Sequence, residues 1–324
     1  MNTSLAIPAP TAKSVILGRV LSGVLVAFLV FDAVIKLVPL QVVTETMVAL
    51  GYSADQNLAR LLGVLTLLCT VGPFGYMVLT GLSRQADFLQ PGRSLEITTD
   101  HYRTVLTADS LHFLAYLRNS LVVSAVSAVV TVCVAALAAY ALTRLPLPGK
   151  SLFLLVTLAV SLFPPVSLVS YLFKFMAGAG WINTYQALIF PYVAWTLPLS
   201  LWILVSYFAQ VPRDLDRAAL VDGCSRLQIL RKVLLPVAMP GVVATALLAF
   251  IFAFNEFLFA LMLTTDYRAR TIPVGIALFE GLHGQIPWGE IMAAATLTTV
   301  PVVLLAFIFQ RQIIQGLTRG AVKE

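Results

Sequence analysis

Long apolar runs with one charge at most recur along the chain, near 61–82, 120–142, 151–173, 187–209, 237–262 and 291–309. Crossing about 30 Å of hydrocarbon takes about 20 helical residues, so each run predicts a membrane-spanning helix. The run at 120–142, SLVVSAVSAVVTVCVAALAAYAL, is rich in Ala and Ser, which let helices pack closely in lipid. It predicts a helix inside a bundle. Pro164, Pro165, Pro191, Pro198, Pro240 and Pro301 fall within other spans and predict kinks whose freed carbonyls need neighbouring groups. A seventh segment, 16–38, is free of charge only over 20–31. Asp32 and Lys36 lie four residues apart in it and can pair on one helix face, which lowers the insertion cost. The expected fold class is therefore an all-α polytopic membrane protein, with a six-helix core and an extra N-terminal hydrophobic helix. The expected division is 1–58 for the extension and 59–324 for the transmembrane domain.

Composition narrows the class. Lys, Arg, Asp and Glu make up 11 % of 324 residues, against about 25 % in soluble proteins, and mean hydropathy is +0.92. That excludes a cytosolic enzyme, a disordered protein and a nucleic-acid module. Basic residues number ten in the loops 144–150 and 210–236 and the tail from 310, against seven in 83–119, 174–186 and 263–290. The first set is read as cytoplasmic, with the C-terminus inside. A crossing at 16–38 then places the N-terminus outside, although Lys13 and Arg19 before it argue the reverse. A helix lying along the membrane surface is the alternative. Trp181, Trp195, Trp288 and Tyr185 are expected near outer span ends, as an aromatic belt. Cys69, Cys133 and Cys224 share no metal or redox spacing and read as inert packing residues. His101, His112 and His283 read as solvated loop residues, and no metal site is expected.

One connection is too ordered for a linker. Residues 210–241 read QVPRDLDRAALVDGCSRLQILRKVLLPVAMPG. Asp214 and Asp216 follow Pro212 and can open a helix, where carboxylates meet the positive end of its dipole. Gly223 closes that helix with a left-handed cap. A second amphipathic helix runs from Leu227 to Leu235 before Pro236. Two short helices outside the membrane with exposed apolar residues make a docking surface.

The stretch RAALVDGCSRLQILRKVLLP resembles the EAA loop of the membrane subunits of ATP-binding-cassette importers, through Ala218-Ala219, Asp222-Gly223, Val233 and Leu235-Pro236. It departs at Arg217, where the family has Glu, and Asp216 beside it is expected to compensate. Residues 72–324 resemble the smaller permease subunit of maltose- and trehalose-type sugar importers, through PFGYMVLTGLS, YLRNSLVVS, FNEFLFALMLTT and FQRQIIQGLTRGAVKE. Residues 1–70, with FDAVIKLVPLQVVTETMVALGYS, look instead like the opening of DoxX-like membrane proteins. The permease resemblance implies a sugar path, a second permease subunit, two cytoplasmic ATPase subunits and an extracytoplasmic sugar-binding protein. It also implies that Asp216, Arg217, Ala218, Ala219, Asp222, Gly223, Leu235 and Pro236 serve ATPase coupling, and that the tail from Gly316 reaches between the ATPases. The chain has no GxxxxGK[ST] phosphate loop, so no ATP hydrolysis and no cofactor are expected of it.

Glu256 follows Asn255 in the middle of the run 237–262, where a charge costs about 2.5–3.5 kcal/mol to insert. Phe252, Phe254, Phe257 and Phe259 flank the pair. Either Asn255 and Glu256 face the translocation path and bond sugar hydroxyls, with Phe252 and Phe257 beside them, or they pair with another helix. Asn119 reads as an outer cap. A rival class is an ion-coupled secondary transporter, which needs intramembrane carboxylates, and Glu256 and Asp32 are the available ones. Residues 1–70 alone suggest a membrane assembly or redox-partner protein. A related substrate such as glycerol phosphate fits the same family.

Overall fold

The computed structural model describes residues 56–85, 96–279 and 286–310. The segment 16–38, His283 and the tail from Gly316 lie outside the described residues, and the expected boundary at 58/59 falls within the first described helix. Among the described residues the structure is helical, apart from one isolated bridge between Ser83 and Ile97. The chain divides into two compact units, Met1–Leu111 with Leu278–Pro301 and His112–Ala277 with Val302–Glu324.

The first unit holds α1 (Gln56–Leu82), α2 (Asp100–Thr107) and most of α12 (Trp288–Ile308). A Cβ on Gly81 would lie 3.1 Å from the backbone nitrogen of Ala293, so a larger residue there would push α1 and α12 apart by a few tenths of an ångström. His101, on α2, is no solvated loop residue. Its Nδ1 lies 3.1 Å from Glu290 Oε1 and its Nε2 3.1 Å from the Ser83 carbonyl. Both partners present acceptors, so the doubly protonated ring is the form that satisfies both contacts. The Glu290 hydrogen bond raises the histidine above its ordinary pKa against the opposing effect of burial.

The second unit is built on α3 (Phe113–Arg144), α6 (Tyr185–Gln210) and α9 (Met239–Phe254). Ser120, Ser124, Ser127, Thr131, Ala135 and Ala139 recur at helical spacing along α3 and are buried. Thr131 meets Thr196 of α6 through their hydroxyls at 2.9 Å. The opposite side of α3 exposes Val126, Val129 and Leu137. Small residues thus turn this helix inward, as their composition predicts. Gly241 lets α9 rest on the Tyr207 ring, where a Cβ would come within 2.4 Å.

Four described helices are long and apolar enough to cross a membrane: Val64–Leu82, Asp109–Arg144, Tyr185–Gln210 and Trp288–Ile308. The two remaining predicted spans are broken rather than merely kinked. Residues 151–173 form α4 (Lys150–Ser161) and α5 (Val169–Gly178). The α4 axis meets that of Pro165–Gly178 at 86°. The tandem Pro164-Pro165 removes two amide donors, and Pro164 is extended, as a residue before proline prefers to be. Single prolines at 191 and 198 leave α6 helical. The run 237–262 becomes α9 and the short α10 (Leu258–Leu263), separated at Asn255–Phe257, and α11 (Ile272–Ala277) follows.

Three other expectations are corrected. Trp195 sits ten residues into α6, about 15 Å from its start, so it belongs to the helix interior rather than an end belt. Cys69 and Cys133 are exposed, not packed. His112 holds a left-handed φ of 47° at the start of α3 and stacks on Tyr267 at 4.2 Å, so it is a structural joint.

Candidate coupling surface and translocation path

The loop 210–241 folds as two helices and a tight turn. α7 (Arg213–Val221) starts after Pro212, with Asp214 and Asp216 in its first turn where the dipole favours them. It ends as a Schellman motif: the Cys224 amide donates to the Ala219 carbonyl at 2.9 Å while Gly223 takes φ +80°. Ser225 then opens α8 (Arg226–Val237) with a capping box, its hydroxyl accepting from the Gln228 amide and its own amide donating to the Gln228 side chain. Leu230–Leu234 within α8 is a π-helical turn.

This unit has two faces. Ala219, Ile229, Leu230 and Leu234 are buried in one core with Ala136 and Tyr140 of α3 and Leu204 and Phe208 of α6. Leu215, Leu220, Val221 and Leu227 are exposed, Val221 by 88 %. Ala218, Asp222, Gly223 and Pro236 are also exposed, and Leu235 is half-buried. Of the residues singled out for coupling, Ala219 therefore faces the bundle and the tip at Asp222-Gly223 faces outward.

Asp216 points inward. Its Oδ2 lies 2.7 Å from Arg144 Nε at the end of α3, and the two side chains are only 14 % and 6 % exposed. The same guanidinium donates to the Val211 carbonyl at 2.8 Å, and Arg213 donates to the Thr143 carbonyl at 3.2 Å. Asp216 is thus engaged within the chain and cannot stand in for an outward glutamate. Arg217 faces solvent and pairs with Asp214 at 3.1 Å. In the sequence Arg144 counts only as a loop charge; its signal is position, an arginine ending the helix rich in small residues.

The four residues proposed for the path separate. Glu256 occupies a helix break, not a helix centre: its Oε1 accepts from the Phe259 amide at 2.8 Å and Oε2 from the Ala260 amide at 3.1 Å. Two backbone donors at the start of α10 offset its desolvation. These amides stabilise it within its own segment, and Tyr192 of α6 also lies close enough to interact with it. Asn255 donates its side-chain amide to Ile251 O at 2.8 Å and is exposed, as are Phe252 and Phe257. Phe252 lines a cavity of about 230 Å³ with Trp195, Ser161, Thr196 and Ser200. A neighbouring cavity of about 820 Å³ shares Ser161 and Trp195 and is walled by Phe163, Tyr171, Phe175 and Phe259. Asn255, Glu256 and Phe257 line neither.

Asn119 is a buried strut rather than a cap. Its amide donates to the Tyr267 and Arg270 carbonyls at 2.9 Å, and its carbonyl accepts from Tyr185 at 2.6 Å. Asn183 ties down the same loop through Asp266, at 2.8 Å, and that hydrogen bond lowers the Asp266 pKa.

Residues 131–319 match the model of the family described as binding-protein-dependent transport system inner membrane component. The trehalose/maltose transport system permease protein MalG of Thermococcus litoralis is 52 % identical over 252 residues, 78 % of this chain and 91 % of that protein. The trehalose transport system permease protein SugB of Mycobacterium tuberculosis is 42 % identical over 70 % of this chain and 82 % of its own length. The sulfoquinovosyl glycerol transport system permease protein SmoH of Agrobacterium fabrum is 42 % identical over 70 % of this chain and 78 % of its own. A crystal structure of a bacterial importer of the acidic polysaccharide alginate superposes with a TM-score of 0.66 at 21 % identity, covering 78 % of this chain and 94 % of that one, which establishes a shared fold.

Proposed function

Because the chain belongs to the family of binding-protein-dependent transport system inner membrane components, we propose that it is the permease subunit of an ATP-driven importer of a di- or oligosaccharide. The observation that carries this reading is the α7–α8 unit, whose buried face joins the core of α3 and α6 while an apolar face stays uncovered. Such a surface fits a groove on a cytoplasmic ATPase. The partners are a second permease, two ATPase subunits and an extracytoplasmic sugar-binding protein, with the C-terminus of this chain cytoplasmic.

The mechanism is alternating access. ATP closes the paired ATPases and draws α7–α8 with them, and the core shared with α3 and α6 passes that displacement into the spanning helices. The aromatic and hydroxyl residues around Phe252, Trp195 and Ser200 suit sugar better than the more apolar cavity beside them, since sugar needs hydrogen bonds as well as ring faces. Trehalose and maltose are the first substrates to test, by analogy with the relatives named above.

The test is reconstitution of the full complex in vesicles. ATP hydrolysis and uptake should both rise with sugar-loaded binding protein, and trehalose or maltose should compete where glycerol phosphate does not. Uptake that proceeds without ATPase subunits under a proton or sodium gradient would overturn the reading in favour of an ion-coupled carrier.

A further inference from the structure

We propose that a basic cavity at the membrane end of the coupling unit holds the phosphate of an anionic phospholipid. The cavity, about 240 Å³, lies where the end of α3, the start of α4, the end of α6 and the start of α7 converge. At about 30 Å³ per water it has room for about eight waters, enough for a phosphate and part of a glycerol.

Three cations line it: Arg144, Lys150 and Arg213. The Asp216 carboxylate neutralises Arg144. Among the described residues no carboxylate lies within ion-pair distance of Lys150 or Arg213, and the nearby Asp214 is taken by Arg217. The cavity therefore carries an excess of about two positive charges, which matches a phosphate. Lys150 and Ser151 also open the twelve-residue helix α4, whose first amides have no side-chain cap, and this adds to the attraction without being its basis.

The remaining wall decides between a soluble phosphate and a lipid. Leu142, Leu154, Val205 and Ala209 give the cavity an apolar wall beside its cations. The helix that carries Leu154, α4, exposes Leu152 and Leu155, each by 63 %. A headgroup seated on Lys150 and Arg213 can lay its acyl chains on that face, whereas inorganic phosphate leaves it uncovered. Cationic pockets at the cytoplasmic ends of spanning helices favour acidic lipids for this reason. The inference rests on the proposed orientation, in which this end is the cytoplasmic membrane surface. Arg213 starts the coupling helix and Lys150 starts α4, so a shared phosphate ties the two together.

The test is thermal unfolding of the full-length chain in detergent, titrated with dioctanoyl phosphatidylglycerol, dioctanoyl phosphatidylcholine, glycerol phosphate or inorganic phosphate. A ligand that binds only the folded state raises the midpoint with concentration. Phosphatidylglycerol should raise it by several degrees, phosphatidylcholine should not, and Lys150→Glu with Arg213→Gln should abolish the rise. Lys150→Glu suits the helix start, so it repels phosphate while preserving the fold. An undiminished rise in the double variant overturns the site, and an equal rise with either soluble phosphate overturns the lipid as its occupant. Native mass spectra of the wild-type chain provide a variant-free reading, and equal retention of the two lipids would refute the proposal. Neither measurement uses ATPase or sugar, so failure here is distinct from failure of the transport reading.

Discussion

Removing the Arg144 guanidinium should release the coupling helix from the bundle. The charge centres of Arg144 and Asp216 are about 4 Å apart given a 2.7 Å Nε to Oδ2 distance, and at an effective dielectric of 20 their attraction is about 4 kcal/mol. Desolvation of two side chains that are 6 % and 14 % exposed cancels much of that gain. Breaking the pair from one side is a different matter, because it strands a buried charge and costs about 3–5 kcal/mol. Arg144→Ala also frees the Val211 carbonyl that the guanidinium holds. A local loss of about 3 kcal/mol raises the open population of α7 about 150-fold. Hydrogen exchange of peptides covering 211–223 in the full-length chain reads that population directly. Arg144→Ala and Asp216→Ala should each accelerate exchange by about two orders of magnitude, and the double variant by little more than either. Additive effects in the double variant, or unchanged exchange in Arg144→Ala, would refute the strut.

Four further outcomes follow from the geometry. Gly223→Val meets no steric obstacle but must hold φ +80°, a strain of about 1 kcal/mol or more, so sugar-stimulated ATP hydrolysis should fall with membrane insertion intact, and Gly223→Asn should retain more of it. Gly241→Ala forces a Cβ to within 2.4 Å of the Tyr207 ring and should destabilise by about 1–3 kcal/mol, read as a lower unfolding midpoint that Tyr207→Leu partly restores. Glu256→Ala strips the acceptors from two half-buried amides and should cost about 1–3 kcal/mol in the same assay, while Glu256→Gln keeps one acceptor and leaves the sugar concentration for half-maximal uptake unchanged. His101 has a folded pKa above its ordinary value of 6.5, so its stabilising contribution is complete below that pH and is lost as pH rises through the folded value. The wild-type midpoint should therefore decline across that range more steeply than that of His101→Gln.

What the chain discloses before folding depends on how local the cause is. The turn at Asp222–Cys224 was legible because its determinants are neighbours: a glycine for positive φ, aspartates at a helix start and a proline before it. The inward side of α3 was legible because Ser and Ala at helical spacing can serve little else in lipid. The break at Asn255–Phe257 was not, since the run carries no proline or glycine there. In the sequence Glu256 is a cost that calls for an external partner, yet its own downstream amides at Phe259 and Ala260 supply donors to it. The roles of His101 and Asn119 are hidden for the opposite reason: their partners, Glu290 and the carbonyls of Tyr267 and Arg270, lie about 150 to 190 residues away.

Arg217 shows how that distance changes a local reading. Beside an arginine where relatives of the resembled loop have glutamate, Asp216 looks like a displaced substitute. The helix turns consecutive residues by about 100°, so Asp216 and Arg217 cannot present the same face. Arg144, 72 positions earlier, takes Asp216 into the bundle, and Arg217 is left outside with Asp214. That exposed pair, three residues apart, is worth at most about 0.5 kcal/mol, so a partner can open it at little cost. The acid available outward on the first turn is then Asp214, and the cation beside it requires an acceptor from whatever surface covers the loop. An ATPase groove matched to this chain should therefore place a carboxylate or carbonyl opposite Arg217, where one matched to a glutamate would place a donor.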